Sequence, residues 1–456
     1  MPIQSHAHTY FPSHDAVDEI GHDAAESKDQ KHDPARTAEN PFGNEEHAEV
    51  KYRVMRWWYV CLMIAQNISL GILSLPSAVA TLGLVPAIIL LLILSGISWY
   101  TGYVIYQFKL RHPHIHSMGD AGEMLMGRFG RELLGIGQVL LMVFIMASHI
   151  LTFMVLMNVL TEHGTCTIVF GVVGLVLSFL GALPRTMDRV YWISIASFIS
   201  ILTATFTTII AIGVQNPIAE LDILTKVSLE DGFLAVTNII FAYIAHAAFF
   251  GWISEMENPR EFPKSLALLQ VVDTSMYMVT AIVIYIYAGR DVASPALSSA
   301  GPLMKKVAYG LAIPTVLFSG VIVGHVACKY IYVRVFRGSA HMHNNGLISI
   351  GAWVSIALVL WIIAWLIAES IPVFNNLLAL ISSLFGSWFS YGLPAMFWLS
   401  MNRGRWFSSR AKICLAVVNV AIFVVACVIC VLGLYVSIRS IHEASGTVTW
   451  TCANTT

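Results

Sequence analysis

The sequence predicts an all-α integral membrane protein with eleven transmembrane helices, on three observations. The chain has 456 residues, 57% hydrophobic and 12% charged, against roughly 25% charged in a soluble domain. Its mean hydropathy is +0.72. Long apolar runs recur along it, and the basic residues between them fall on alternate sides.

The first element is polar. Residues 1–50 hold eleven Asp/Glu and three Lys/Arg, whereas the remainder holds sixteen and 23. This head lacks the apolar core of a signal peptide. It has too few apolar residues to offset ordering entropy, so it is predicted to be a disordered, acidic cytoplasmic tail. Its histidines (His6, His8, His14, His22, His32 and His47) follow no metal-ligand spacing, and no metal is expected.

A helix needs about 20 apolar residues to cross a hydrocarbon core of about 30 Å. Eleven segments qualify: 57–80, 84–108, 132–160, 166–183, 190–213, 232–253, 266–288, 308–333, 346–368, 373–399 and 412–438. The eleven-helix domain therefore covers 51–440, and 441–456 is a short tail. With the N-terminus cytoplasmic, eighteen Lys/Arg fall on the inner side, among them Arg56, Lys109, Arg185, Lys264, Lys329 and Arg403. Only Lys226, Arg290, Lys305, Lys306 and Arg439 fall outside. That bias fits the positive-inside rule, supports the odd span count, and puts the C-terminus outside. Cys166 and Cys452 alone lie on the oxidising side, where a disulfide and two free thiols are both open.

Two spans are interrupted. The first reads Asn67-Ile-Ser69-Leu-Gly71-Ile72-Leu-Ser-Leu-Pro76. There Gly71 relaxes the backbone and Pro76 removes a donor. The sixth carries Tyr243, His246, Phe249, Phe250, Gly251 and Glu255 before Pro259. Five spans apart, the two cross the membrane in opposite senses. A matched pair of interrupted helices in inverted halves marks the binding site of a secondary transporter.

The same residues resemble a known family. Ile64 to Pro76 is similar to the first-helix signature of the amino acid/auxin permease family. Phe241 to Lys264, with Glu255-Met256, Asn258-Pro259 and Phe262-Pro263-Lys264, resembles its sixth-helix signature. Details such as Ala-Phe-Phe-Gly-Trp look closest to neutral amino-acid permeases of filamentous fungi. Ile244 and Ala245 depart from it, since relatives often carry glycine before the histidine. The resemblance implies a LeuT-like fold of 5+5 inverted repeats plus one extra helix, and proton symport of amino acids.

A site follows from the residues. Free N–H groups of a half-helix after Gly71 would receive an amino-acid carboxylate. Carbonyls around Tyr243–Ala247, with Ser69, would receive the ammonium. The substrate side chain would face Phe249, Phe250 and helices three and eight; Asn67 and Ile72 complete the expected set. That lining offers no counter-charge, so neutral aliphatic or aromatic substrates are expected. Intramembrane ionisable residues default to function. His246 and Asp273 are expected to work in coupling or gating, with Glu255 as an inner latch to a basic loop residue, whereas His149 and His325 read as structural. Ser319 would serve a sodium-coupled variant, a weaker expectation than the proton gradient. The His112–His116 loop reads as solvated.

No phosphate loop, catalytic triad or metal motif is present, so neither an enzyme, an ATP-driven pump nor an organic cofactor is expected. The expected partners are neutral amino acids and the lipid bilayer, not nucleic acid; the sequence sets no oligomeric state. The expected location is the plasma membrane, the alternatives being a vacuolar amino-acid exporter and an amino-acid sensor with the same fold.

Overall fold

The computed structural model of the chain describes residues 55–185, 187–215, 221–342 and 344–452. The predicted acidic tail lies outside the described residues. Among them, nine helices are long and apolar enough to cross a membrane, and two shorter apolar helices, Asn67–Leu82 and Thr167–Gly181, supply the remaining spans.

The helices are α1 (Val60–Leu82), α2 (Leu84–Arg111), α3 (Met118–Thr161), α4 (Thr167–Gly181) and α5 (Met187–Gln215). Next come α6a (Leu229–Phe241), α6b (Phe249–Glu255), α7 (Phe262–Ala288), α8 (Pro302–Phe336) and α9 (Leu347–Ser370). The last two are α10 (Phe374–Met401) and α11 (Arg410–Val448).

Burial separates centre from rim. In α3, α6 and α10, 83% of the most apolar window is buried inside the protein, against 22% in α11 and 33% in α2 and α9. The rim helices therefore offer lipid a wide apolar face, whereas the central ones are surrounded by protein. The α1 helix packs on α5, α6a, α7 and α8, and α8 also packs on α3.

Several starts and bends have local causes. Ser117 caps α3 by accepting from the Asp120 N–H. The same helix turns at Gly127, whose φ of +65° suits glycine. That turn adds a helical segment before the expected start at 132. In α8, Pro314 removes a donor, and Ser200 of α5 enters the ladder nearby. Its Oγ donates to the Leu311 carbonyl (2.7 Å) and accepts from the Thr315 N–H (3.1 Å).

Two stretches differ from expectation. First, α11 continues to Val448, past the expected boundary at 440, with Arg439 paired to Glu443 one turn on at 3.0 Å. Second, Ser382–Gly392 in α10 is π-helical, which the apolar run did not reveal. Cys166 and Cys452 are joined as a disulfide, which ties the end of the chain beyond α11 to the α3–α4 loop.

Candidate functional site

The strongest irregularity lies in the sixth span. Between α6a and α6b, residues 242–245 leave the helix and His246–Ala248 form a single 3-10 turn. The Ala242, Tyr243 and Ile244 N–H groups donate to carbonyls three residues back at 3.2, 3.0 and 3.2 Å. Buried main chain outside a ladder needs partners. Tyr277 of α7 donates to the Ala242 carbonyl (2.8 Å), and Gln138 of α3 donates to the Ala247 carbonyl (2.9 Å). The π-helical part of α10 closes another side: a Cβ on Gly386 would stand 2.4 Å from Ile244 Cδ1.

The first span corrects the sequence reading. The α1 helix is regular from Val60 to Leu82, through Gly71 and with Pro76 inside it. No free N–H cluster follows Gly71, because helical N–H groups point back to the preceding turn. Hydroxyls support the proline-containing stretch: Ser74 donates to the Gly71 carbonyl and Ser77 to the Ser74 carbonyl, each at 2.9 Å. Gly71 is instead a close-packing residue. A Cβ there would lie 2.8 Å from Ala242 Cα, so its lack of a side chain lets α1 touch the α6 break.

Around that contact the structure assembles several expected residues. Asn67 donates to Asp273 Oδ2 at 2.5 Å. Tyr277, one turn from Asp273 on α7, donates to the Asn67 carbonyl (3.1 Å) as well as to Ala242. Tyr243 stacks edge-on against Tyr277 and donates to the Leu91 carbonyl of α2 at 3.1 Å. Asn67, Gly71, Tyr243 and Asp273 thus share one junction, and Ile72 is buried in the core beside Gly71.

Other expected residues point elsewhere. His246 is fully buried, and its Nε2 lies 3.0 Å from both the Ser98 carbonyl and Thr101 Oγ1 of α2. A carbonyl can only accept, so Nε2 carries the proton and the ring fastens the break to α2. Phe249 packs on His246 and Phe262, and Phe250 on Phe108 and Phe397. These rings pack on α2, α7 and α10. In a helix of 3.6 residues per turn the direction of a side chain depends on where the break resets the phase.

A cavity of about 280 Å³ opens below α6b, lined by Gln138, Ala248, Gly251, Trp252, Glu255 and Lys329 among others. Its floor holds a buried ion pair: Lys329 Nζ of α8 donates to Glu255 Oε1 and Oε2 at 2.9 and 2.8 Å. The partner of Glu255 is therefore a helix residue rather than a loop residue. At the opposite end a cavity of about 400 Å³ is lined by Ser77, Thr81, Asn238, Arg290 and Asn375 among others. Neither cavity is lined by the expected substrate residues.

Ser319 lies 2.9 Å from Ser197, which bonds to Thr315 Oγ1 (3.2 Å); that hydroxyl donates to Ser69 (3.2 Å). This hydroxyl cluster joins α1, α5 and α8. His149 donates to the Val316 carbonyl (2.9 Å), and His325 packs against Trp353. The His112–His116 loop is not wholly solvated: Ile115 and His116 are buried, and Lys109 donates to the Pro113 and Ile115 carbonyls at 2.6 and 2.5 Å. Sequence reasoning missed Gln138, Tyr277 and Lys329. Tyr277 had a signal, its four-residue spacing from Asp273 on one helix face.

The family described as "Transmembrane amino acid transporter protein" matches residues 53–439. A Neurospora crassa protein named "N amino acid transport system protein" is 36% identical over 415 residues, covering 88% of each chain. A "Transmembrane transporter" of Gibberella moniliformis is 32% identical over 361 residues, 77% of this chain and 76% of its own. Among solved structures, MhsT in complex with L-phenylalanine aligns with a TM-score of 0.55 at 13% identity, covering 87% of this chain and 100% of that one. A Na+-coupled sialic acid symporter aligns at 0.53 and 12% identity, covering 89% and 95%. At such identities the likeness speaks to the fold alone. The eleven helices adopt the LeuT-like arrangement of two inverted five-helix repeats plus one helix.

Proposed function

The chain belongs to the transmembrane amino acid transporter family, and on that premise we propose that it is a proton-coupled symporter of neutral aliphatic or aromatic amino acids. The observation that carries the reading is the break at 242–245, set against Gly71 of α1 with a cavity toward each end of the bundle. Interrupted backbone at that depth is tolerated where protein or a water-filled cavity covers it.

The main chain of the break receives the substrate's charged groups, with the ammonium on carbonyls of the Tyr243–Ala247 stretch. Neutral selectivity is supported by the apolar Ile244 buried in the break and by Lys329 of the lower cavity, which is already paired with Glu255. The name of the Neurospora relative supports amino acids as the cargo. The basic-residue bias supports an inward N-terminus and an outward C-terminus, and the plasma membrane is the location we propose. In this orientation the Glu255–Lys329 pair is the inner gate, closed here.

One observation favours sodium as the coupling ion, the hydroxyl cluster of Ser69, Ser197, Thr315 and Ser319. Uptake of a labelled neutral amino acid in a permease-deficient host decides among the readings. Concentrative uptake that survives replacement of sodium by choline and collapses with an uncoupler supports proton symport. A strict sodium requirement sinks it, and binding without accumulation supports a sensor.

A further inference from the structure

We infer that Asp273 is the group that takes up and releases the coupled proton, and that it does so through its contact with Asn67 of α1. The inference rests on the proton-coupled reading above.

Asp273 is the twelfth of 27 residues in α7, so it sits at mid-helix. It is 0% exposed. Its Oδ2 accepts from the Asn67 amide, while Oδ1 is buried with no hydrogen-bond partner. Two other buried carboxylates are placed differently. Glu255 is neutralised by Lys329, and Glu369 stands one residue from the end of α9, accepting from Trp365. Among the described residues Asp273 is thus the mid-span carboxyl with no cation beside it. An isolated carboxylate in such surroundings is costly, and a proton on Oδ1 removes that cost.

The neighbours allow this titration. From α1 it meets the neutral Asn67, from its own helix Tyr277 and from the α6 break Tyr243. Between Val60 and Leu82 α1 has no charged residue, and α2 has only Lys109 and Arg111, in its last turn. Residues 192–215 of α5 carry none. The charged groups of α6, Glu230, Asp231 and Glu255, lie at its ends, and the His246 ring turns to α2.

The contact also couples the proton to the site. Asn67 offers its amide to Asp273 and its carbonyl to Tyr277, which also holds the Ala242 carbonyl at the break. The ionised carboxylate grips the Asn67 amide as a charge-assisted acceptor, and the neutral acid holds it less strongly. Protonation therefore alters the hold between α7, α1 and the break. No covalent step is involved: one proton binds at Oδ1 from one side and leaves to the other.

The experiment uses the full chain in proteoliposomes with labelled neutral amino acid, comparing wild type, Asp273→Asn and Asp273→Glu. One coupled proton under a gradient of one pH unit supports about tenfold accumulation. Wild type should accumulate; Asp273→Asn should fall to equilibration with a flat pH profile while still exchanging internal for external amino acid. Asp273→Glu should stay coupled with a displaced pH midpoint. Wild type indifferent to the proton gradient would overturn the function reading itself. Coupled wild type with coupled Asp273→Asn would overturn the inference alone. If Asp273→Asn neither exchanges nor binds, Asp273→Glu decides, and an unmoved midpoint there counts against Asp273.

Discussion

The two spans that look alike in sequence, α1 and α6, fold differently. Both carry glycine and polar residues at mid-span, yet α1 stays helical from Val60 to Leu82 while α6 opens over four residues. In α1 the proline sits one turn past Gly71, and Ser74 and Ser77 add hydrogen bonds within the helix. In α6 the backbone opens without proline or glycine, because Tyr277 and Gln138 reach in from neighbouring helices to hold its carbonyls. A break is therefore made by its surroundings as much as by its own residues. Gly71 is the counterpart of that break: it lets α1 lie against Ala242.

The substitution with the largest expected effect on uptake strikes this contact. Gly71→Val places branched carbon where a single Cβ already meets Ala242 Cα at 2.8 Å. Because both partners are backbone in a packed core, the overpacking should cost about 1–3 kcal/mol or more. Labelled uptake should be lost, whereas Gly251→Ala in α6b, where a Cβ meets nothing within 4 Å, should transport normally. Equal behaviour of the two variants would show that the α1–α6 approach does not matter.

The gate comes next. Glu255→Ala removes the carboxylate from an ion pair whose side chains are 2% and 5% exposed, which should cost about 3–5 kcal/mol. Thermal unfolding in detergent should report the loss, and adding Lys329→Met should restore most of it. Tyr277→Phe removes the one hydroxyl shared between the Asn67 and Ala242 carbonyls. A loss of about 1–3 kcal/mol is expected for buried groups left unsatisfied, together with faster hydrogen exchange across the break.

His246 separates structural from coupling roles. His246→Ala should lower thermal stability by about 1–3 kcal/mol, because the buried hydrogen bond from the ring to the Ser98 carbonyl is lost. The pH profile of uptake should remain that of wild type, and a flattened profile would move the coupling role from Asp273 to the histidine.

The smallest effect lies in the outer loops. Arg290 donates to Asp222 and Lys306 to Glu162, and both hydrogen bonds hold the carboxyls below their usual range. With folded values lowered, their stabilisation is complete above about pH 4 and is lost as the pH falls through those values. Acid titration of thermal stability should show a shallow decline there, absent in Asp222→Asn/Glu162→Gln.

Much of this architecture was legible in the sequence. Hydropathy and loop charge set eleven spans, because lipid forces each crossing into about 20 apolar residues. The family signature located the junction, and Asn67, Gly71, Tyr243 and Asp273 do meet there. Side-chain directions were not legible: Phe249, Phe250 and His246 turn toward α2 and α10 because the break resets the helical phase. The Lys329 partner of Glu255 lies 74 residues away, a pairing that only the folded chain creates. The π-helical turn beside Ile244 left no periodic trace of its own.

We propose that the substrate meets the main chain at the α6 break and not at α1. Amide hydrogen exchange across residues 239–248 and 67–76 tests it most directly, measured with and without a saturating neutral amino acid. The account predicts fast exchange in the break that slows with substrate, and slow exchange in α1 that the substrate leaves unchanged. Protection confined to α1, with the break unaffected, would contradict it.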